Sequence, residues 1–152
     1  LRDGFIAPGL KLAVLPDARG LLAGSETKTV QIKDFVYGKG DLSLGGKAGR
    51  PPVIRQGQQL TFKNLDSPDQ SKQLYHTITA CREPCNKRTG IAYPLADGRV
   101  DFDSGELGFG PPIGTAAAQR DTWKTPKNLP KGTYTYFCRI HPFMRGAFRV
   151  ER

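Results

Sequence analysis

The chain has 152 residues, of which 38% are hydrophobic and 24% charged; this is the composition of one globular domain and excludes a disordered chain. Its net charge of +9 comes from scattered basic residues without a nucleic-acid-binding motif, so we expect no nucleic-acid partner. No apolar run approaches the roughly 18 residues that a membrane span needs, so we expect no transmembrane segment in this chain.

The first residues predict an arm. Residues 1–26 contain proline or glycine every few positions, and we interpret them as an N-terminal arm that packs on a main domain of residues 27–152. The sequence begins at Leu1, without a basic and then apolar leader. We therefore expect a mature or trimmed form of an exported protein, with peripheral or lipid anchoring left open.

Alternating, β-branched and aromatic residues predict five main strands in the main domain. The first is KTVQIKDFVYG, with Val30, Ile32 and Phe35 as the candidates that face inward, and the second is PPVIRQGQQLTFKNLD, with a turn or bulge at Gly57. The others are LYHTITA, TYTYFC and GAFRVER, with DTWKTP as a shorter candidate and GTAAAQRD as the one helix candidate. This pattern predicts an all-β, antiparallel Greek-key β-sandwich or barrel with a long loop insertion around residues 81–100.

The stretch YTYFCRIHPFMRG concentrates Cys138, His141 and Met144 in seven residues, although the chain has three cysteines, two histidines and one methionine. Alone, such a cysteine or methionine is usually a core residue. Together, a thiolate, an imidazole and a thioether suit copper that alternates between Cu(I) and Cu(II), but such a site needs a second imidazole. The other histidine, His76, lies on a predicted strand that can pair beside the cysteine strand.

A histidine followed by Cys-x2-His-x2-Met near the C-terminus resembles the pattern of the cupredoxins, the type 1 blue copper proteins. CRIHPFMRG is most similar to the ligand loop of the amicyanins, whereas plastocyanins have a longer His–Met spacer. The resemblance covers about residues 27–152 and implies a cupredoxin-like fold. It also implies a mononuclear type 1 copper electron carrier, not an enzyme, with one copper ion bound by His76, Cys138, His141 and Met144.

The resemblance also assigns roles around the ligands. Most small cupredoxins have asparagine after the first ligand histidine; here it is Thr77, so the link between the ligand loops is either made by a hydroxyl or absent. Pro142 and Phe143 would form an apolar electron-transfer surface beside His141, with Phe109, Pro111 and Pro112 as candidate neighbours. Arg139 and Arg145 would form a basic rim for an acidic redox partner or else be solvated bystanders.

The other two cysteines, Cys81 and Cys85, form a C-x3-C pattern that also occurs in binuclear CuA centres. Thr89 and Ala92 stand where that pattern would place its histidine and methionine, and a zinc site would need further ligands. A Cys81–Cys85 disulfide in an oxidising compartment is the remaining interpretation, with two free thiols in a reducing compartment as the alternative.

Two other functions stay open on the sequence. The chain could be an electron-relay domain of a larger copper oxidase or reductase, although both of its histidines are already assigned to one site. It could also be a copper-delivery protein, although such proteins tend to have methionine-rich sites and this chain has one methionine. For the carrier, we expect a monomer in the periplasm or outside the cell, where it exchanges electrons with redox partner proteins.

Overall fold

A computed structural model describes residues 28–43, 49–81, 100–111 and 117–152, with only the backbone of Cys81 included. The predicted N-terminal arm, Cys85, Pro112 and nearly all of the 81–100 insertion lie outside the described residues. The proposed Cys81–Cys85 disulfide therefore lies outside them as well.

The described residues form two β-sheets, which confirms the predicted all-β fold. The nine strands are β1 (Thr29–Lys33), β2 (Val36–Tyr37), β3 (Val53–Arg55), β4 (Thr61–Asn64), β5 (Thr79–Cys81), β6 (Val100–Asp103), β7 (Thr122–Lys124), β8 (Gly132–Phe137) and β9 (Arg145–Glu151). One sheet has the order β2-β1-β4-β7, and the other has the order β3-β9-β8-β5-β6.

Both sheets are mixed, whereas the sequence predicted antiparallel pairing. β1 pairs with β4 in parallel, and β3 pairs with β9 in parallel. The reason lies at Gly57, whose φ of 90° lets the chain turn between β3 and β4. The predicted second strand is thus two strands in different sheets, and each finds a parallel partner from a distant part of the chain.

The predicted first strand is a hairpin. Val30 and Ile32 are buried and alternate with exposed neighbours on β1, as predicted. The chain then reverses, because Lys33 pairs with Val36 across a two-residue turn. Asp34 and Phe35 both have positive φ there, 52° and 64°, which is the backbone of a type I′ turn.

Two further predictions need correction. The described part of the predicted helix, residues 117–121, is not helical: Glu106 pairs with Ala117 and Gly108 pairs with Arg120 as isolated bridges, and Gln119 between them has a φ of 55°. The predicted strand LYHTITA is strand only from Thr79, and His76 before it makes a single bridge with Leu107. Helix and strand propensity give way here to pairing with distant segments.

Aromatic side chains form the centre of the core between the sheets. Tyr37 meets Tyr136 edge-to-face at 4.8 Å between ring centroids, and Tyr136 meets Phe62 at 5.2 Å in the same manner. The preference of aromatic pairs for this geometry stabilises the contact beyond the burial of the rings. Within the described ranges, no helix is long and apolar enough to cross a membrane.

Candidate metal centre

Antiparallel pairing brings His76 and Cys138 together at one end of β5 and β8, two neighbouring interior strands of the five-stranded sheet. Thr79 of β5 lies opposite Phe137 of β8. In an antiparallel pair, the residues before one strand lie beside the residues after the other. His76 precedes β5 and Cys138 follows β8, so the two side chains meet although 61 residues separate Thr77 from Cys138 along the chain.

His76, Cys138 and His141 form a group that could hold a metal ion. One ring nitrogen of each histidine and the cysteine sulfur all lie within 4.8 Å of one another. His141 Nδ1 lies 3.6 Å from Cys138 Sγ. His76 and Cys138 are fully buried and His141 is half-buried. Met144, the fourth residue predicted from the sequence, is fully buried on the same loop.

The loop that carries Cys138, His141 and Met144 is closed by its own backbone. The Met144 N–H donates to His141 O at 2.8 Å, and the Cys138 N–H donates to Met144 O at 3.2 Å. These two bonds fold the segment into a tight turn between β8 and β9. The spacing of two residues between successive candidate ligands therefore matches a single closed turn.

One ring nitrogen of His76 is held and the other is not. Nε2 lies 2.8 Å from Asp66 Oδ2, while the buried Nδ1 has no hydrogen-bond partner among the described residues. Burial lowers the pKa of His76 to about 4, against opposing hydrogen bonding from Asp66, so the ring is neutral near pH 7. Partial burial raises the pKa of Asp66, but hydrogen bonds from Asp34, His76 and Phe35 outweigh it and lower that pKa below its ordinary value. Asp66 is thus ionised, and its carboxylate accepts a hydrogen bond from the His76 Nε2–H.

The thiol of Cys138 is protonated in the metal-free protein. Burial raises its pKa, and hydrogen bonds from Thr77 and the ligand loop oppose that rise only in part. The Thr77 N–H lies 3.3 Å from the cysteine sulfur. A sulfur in such surroundings becomes a thiolate when a cation replaces its proton.

Thr77 links the two segments that carry the candidate ligands. Its hydroxyl accepts a hydrogen bond from the Arg139 N–H at 2.9 Å and lies 2.9 Å from the Thr79 hydroxyl. Its carbonyl accepts a hydrogen bond from the Tyr37 hydroxyl at 2.6 Å. The sequence left open whether a hydroxyl links the two ligand segments. In the structure, the Thr77 hydroxyl makes that link.

Arg139 is neither a basic rim nor a solvated bystander. Its side chain is buried, with 6% of its surface exposed, and its Nη1 lies 2.7 Å from Asp103 Oδ2. This ion pair joins the start of the ligand loop to the end of β6. Arg145, by contrast, is exposed. The sequence could not separate the two arginines because both directly follow a candidate ligand.

Two phenylalanine rings, those of Phe35 and Phe143, cover the histidines. The Phe35 ring lies edge-on to His141 at 4.9 Å and to His76 at 5.5 Å, and it lies 6.2 Å from the ring of Phe143. Phe143 is 61% exposed and lies 6.0 Å from the His141 ring, while Pro142 between them is half-buried. The outer side of the group is therefore apolar.

Sequence reasoning missed two residues of this site, Asp66 and Phe35. Asp66 lies in the turn-rich stretch NLDSPDQ, where an acidic residue is usual and gives no signal. Phe35 was predicted as an inward-facing strand residue, and it occupies a turn instead. The pairing of β1 with β4 brings Phe35, which follows β1, beside Asp66, which follows β4 and contacts His76 directly.

Comparison with known proteins gives structural neighbours. No protein-family model matches the sequence, and no curated protein sequence matches it. A mutant amicyanin in its reduced Cu(I) form at pH 4 is 17% identical, with 85% of this chain and 89% of that chain covered and a TM-score of 0.49. A second reduced amicyanin mutant is 16% identical, with 84% of each chain covered and a TM-score of 0.47. An oxidised mutant is 17% identical, with 81% and 80% covered and a TM-score of 0.46.

Two β-sheets and the grouping of His76, Cys138 and His141 agree with the cupredoxin-like fold that the resemblance in the sequence implied. The function proposed below rests on the geometry of these residues.

Proposed function

We propose that the protein is a mononuclear type 1 copper protein that carries single electrons between redox partners. The observation that carries the proposal is the convergence of His76, Cys138 and His141, whose donor atoms lie within 4.8 Å of one another. The buried, unpartnered Nδ1 of His76 supports it, because a buried imidazole nitrogen without a partner is costly unless a ligand completes it.

The donor set fits copper better than the common alternatives. Two imidazoles, one thiolate and a weak thioether form the trigonal set with an axial ligand that is typical of blue copper sites. His76, Cys138 and His141 would hold the copper ion, with Met144 of the same loop as the fourth ligand. Copper, when bound, supplies the one-electron Cu(I)/Cu(II) couple.

The surrounding residues hold this set in one arrangement. The Thr77 N–H donates a hydrogen bond to the sulfur of Cys138. The backbone hydrogen bonds of the ligand loop limit the movement of His141 and Met144. A site that is preorganised in this way changes little between oxidation states, which favours fast electron transfer. Burial of His76 and Cys138 keeps water from the site and prevents side reactions.

Electrons would enter and leave at the face of Phe143 and Pro142. His141 is the half-buried candidate ligand, and the exposed Phe143 ring lies 6.0 Å from it. A donor protein would lose one electron and an acceptor protein would gain it, with no bond formed or broken. The net charge of +9 and the exposed Arg145 favour acidic partners, a preference that salt should weaken.

Visible absorption and voltammetry of the copper-loaded protein test the function together. We expect an intense thiolate-to-Cu(II) band and a reversible one-electron wave. A colourless protein that binds only Cu(I) would instead indicate copper delivery. A coloured protein that exchanges electrons only as part of a longer polypeptide would indicate a relay domain.

We also propose that the protein is exported to an oxidising compartment, periplasmic or extracellular, with Cys81 and Cys85 joined as a disulfide. With these two cysteines oxidised, Cys138 is the one cysteine that remains a thiol and can bind the metal. Mass measurement of the alkylated apoprotein tests it: one alkylated thiol before reduction and three after reduction are expected. Three alkylated thiols before reduction would reject the disulfide.

A further inference from the structure

Asp66 contacts two parts of the candidate centre at once. It follows β4 and is buried. Its Oδ1 accepts a hydrogen bond from the Asp34 N–H at 2.9 Å, and its Oδ2 accepts one from the Phe35 N–H at 3.2 Å. The same Oδ2 lies 2.8 Å from His76 Nε2. One carboxylate thus joins a candidate ligand to the turn that carries the covering phenylalanine.

We propose that Asp66 is a positioning residue whose carboxylate fixes the tautomer of His76 and holds Phe35 over both imidazoles. The inference rests on the copper function proposed above, but its main consequences concern the metal-free protein. It assigns a role to a residue that is not itself a ligand.

The tautomer follows from the inventory of donors and acceptors. An ionised carboxylate only accepts hydrogen bonds, so the nitrogen of His76 that faces Asp66 must carry the proton. The lone pair of the neutral ring then lies on Nδ1, the nitrogen that is buried without a partner. Hydrogen bonding of this kind orients metal-binding histidines and raises their basicity.

The turn needs the same carboxylate for a different reason. Asp34 and Phe35 both have positive φ, a conformation in which the Cβ of an ordinary residue crowds the following carbonyl oxygen. Asn-Gly is the usual solution at such a turn, whereas this chain has Asp-Phe. The two N–H bonds to Asp66 offset the strain, and the turn places the Phe35 ring 4.9 Å from that of His141.

Asp66 is itself anchored to the backbone around His76. The side-chain oxygen of Asn64 accepts a hydrogen bond from the Asp66 N–H at 2.9 Å, and the Asn64 amide donates to Leu107 O at 2.9 Å. Leu107 in turn pairs with His76 through two backbone hydrogen bonds. The carboxylate and the imidazole are therefore fixed to the same short piece of structure, which is what a preorganised site requires.

The test compares Asp66→Asn with Asp69→Asn in the apoprotein. The NH2 group of asparagine is a donor, so it would face either the Asp34 N–H or the Phe35 N–H, donor against donor. Asparagine therefore cannot make all the contacts of the carboxylate. Asp69 lies in the same loop and is exposed, and it accepts a hydrogen bond from the Ser71 N–H at 2.7 Å, which makes it a control with the same change of charge.

Nitrogen NMR of the imidazoles and amide hydrogen exchange give the readouts. We expect the unsubstituted protein and D69N to show His76 with its proton on Nε2 and a protected Phe35 amide. In D66N, the Nε2–H tautomer should lose population, and exchange of the Phe35 amide should accelerate by at least about tenfold, a free-energy change of about 1.4 kcal/mol. Retention of both properties in D66N would overturn the proposed coupling.

Copper-loaded samples add a readout that a purely structural role would not change. Loss of the carboxylate should weaken Cu(II) binding by about 10- to 100-fold, as is typical for partners of metal-binding histidines. The reduction potential should rise by about 59 mV for each tenfold loss of Cu(II) relative to Cu(I). An unchanged potential in folded D66N would contradict the role of Asp66.

The two proposals fail separately. If the unsubstituted protein binds no copper but shows the Nε2–H tautomer and a protected Phe35 amide that D66N loses, the copper function fails and the positioning role of Asp66 stands. If D66N does not fold, the tautomer of His76 in the unsubstituted apoprotein still tests the role of Asp66. A proton on His76 Nδ1 at neutral pH would overturn the proposal.

Discussion

The two sides of the candidate centre are built in opposite ways. The ligand loop, residues 138–144, carries three candidate ligands in one continuous turn that closes with its own backbone bonds. The other side combines Phe35, Asp66 and His76, joined by side-chain contacts between residues 10 and 31 positions apart. Local sequence therefore specifies the first side, whereas the second exists only after β1 has paired with β4.

The largest expected effect comes from breaking the ligand loop at its sulfur. Cys138→Ser removes the thiolate, so the visible band should disappear, and copper affinity should fall by more than the roughly 100-fold that loss of an outer partner costs. Absorption during copper titration measures the band, and competition with a copper chelator measures the affinity. The double variant C81S/C85S is the control and should retain the band; loss of the band there would place copper elsewhere.

The His76 side should make the apoprotein sensitive to acid. Because burial lowers the pKa of His76 to about 4 while the unfolded value is near 6.5, the unfolded state binds more protons between these values. Stability should be complete above about pH 6.5 and should fall by about 3 kcal/mol as the pH falls to about 4. Urea denaturation across this range measures the loss, which His76→Gln should reduce. Equal stability at both ends would contradict the buried neutral imidazole.

Gly146, just beyond the ligand loop, tests how tightly the loop meets the core. A Cβ at this position would lie 2.5 Å from the Tyr136 hydroxyl, closer than any real contact. Gly146→Ala should therefore destabilise the apoprotein by about 2 kcal/mol, as is typical of overpacking. Chemical denaturation measures the change.

Tyr136→Phe supplies the matched background for that measurement. The buried Tyr136 hydroxyl has no hydrogen-bond partner among the described residues, so its removal should cost little. The cost of G146A should be somewhat smaller in the Y136F background but should not vanish, because the Cβ would also lie 2.6 Å from Cζ and 2.8 Å from Cε2 of the ring, which phenylalanine keeps. Equal costs in both backgrounds would show that the hydroxyl is not the obstacle.

The smallest effect concerns the strain in the β1–β2 turn. Phe35→Ala and Phe35→Gly both remove the ring, but only glycine tolerates a φ of 64° without penalty. The glycine variant should therefore be more stable by about 1 kcal/mol, measured by denaturation of the apoprotein. If the alanine variant were equally stable, the turn would not be strained.

The same contrast explains what the sequence could predict. Alternation revealed the buried face of β1, and spacing revealed the ligand loop, because both signals lie within a few residues. The turn at Asp34 and Phe35 was hidden, since its residues are not those that favour positive φ. Its stabilising partner, Asp66, lies 31 positions from Phe35.

Arg139 and the predicted helix show the same limit. The charge of Arg139 suggested a solvent-exposed side chain, yet Asp103, 36 positions earlier, pairs with it and allows its burial. The alanines before Gln119 favoured a helix, yet Ala117 pairs with Glu106 in a segment that is not helical. In both cases, a partner from another part of the chain overrides a local preference.

Titration of the apoprotein with Cu(II), followed by visible absorption, tests the central claim most directly. The account predicts an intense thiolate-to-copper band that grows linearly and stops at one equivalent, since His76, Cys138 and His141 form one group. A protein that stays colourless, or whose band continues to grow to two equivalents, would contradict a single type 1 copper site.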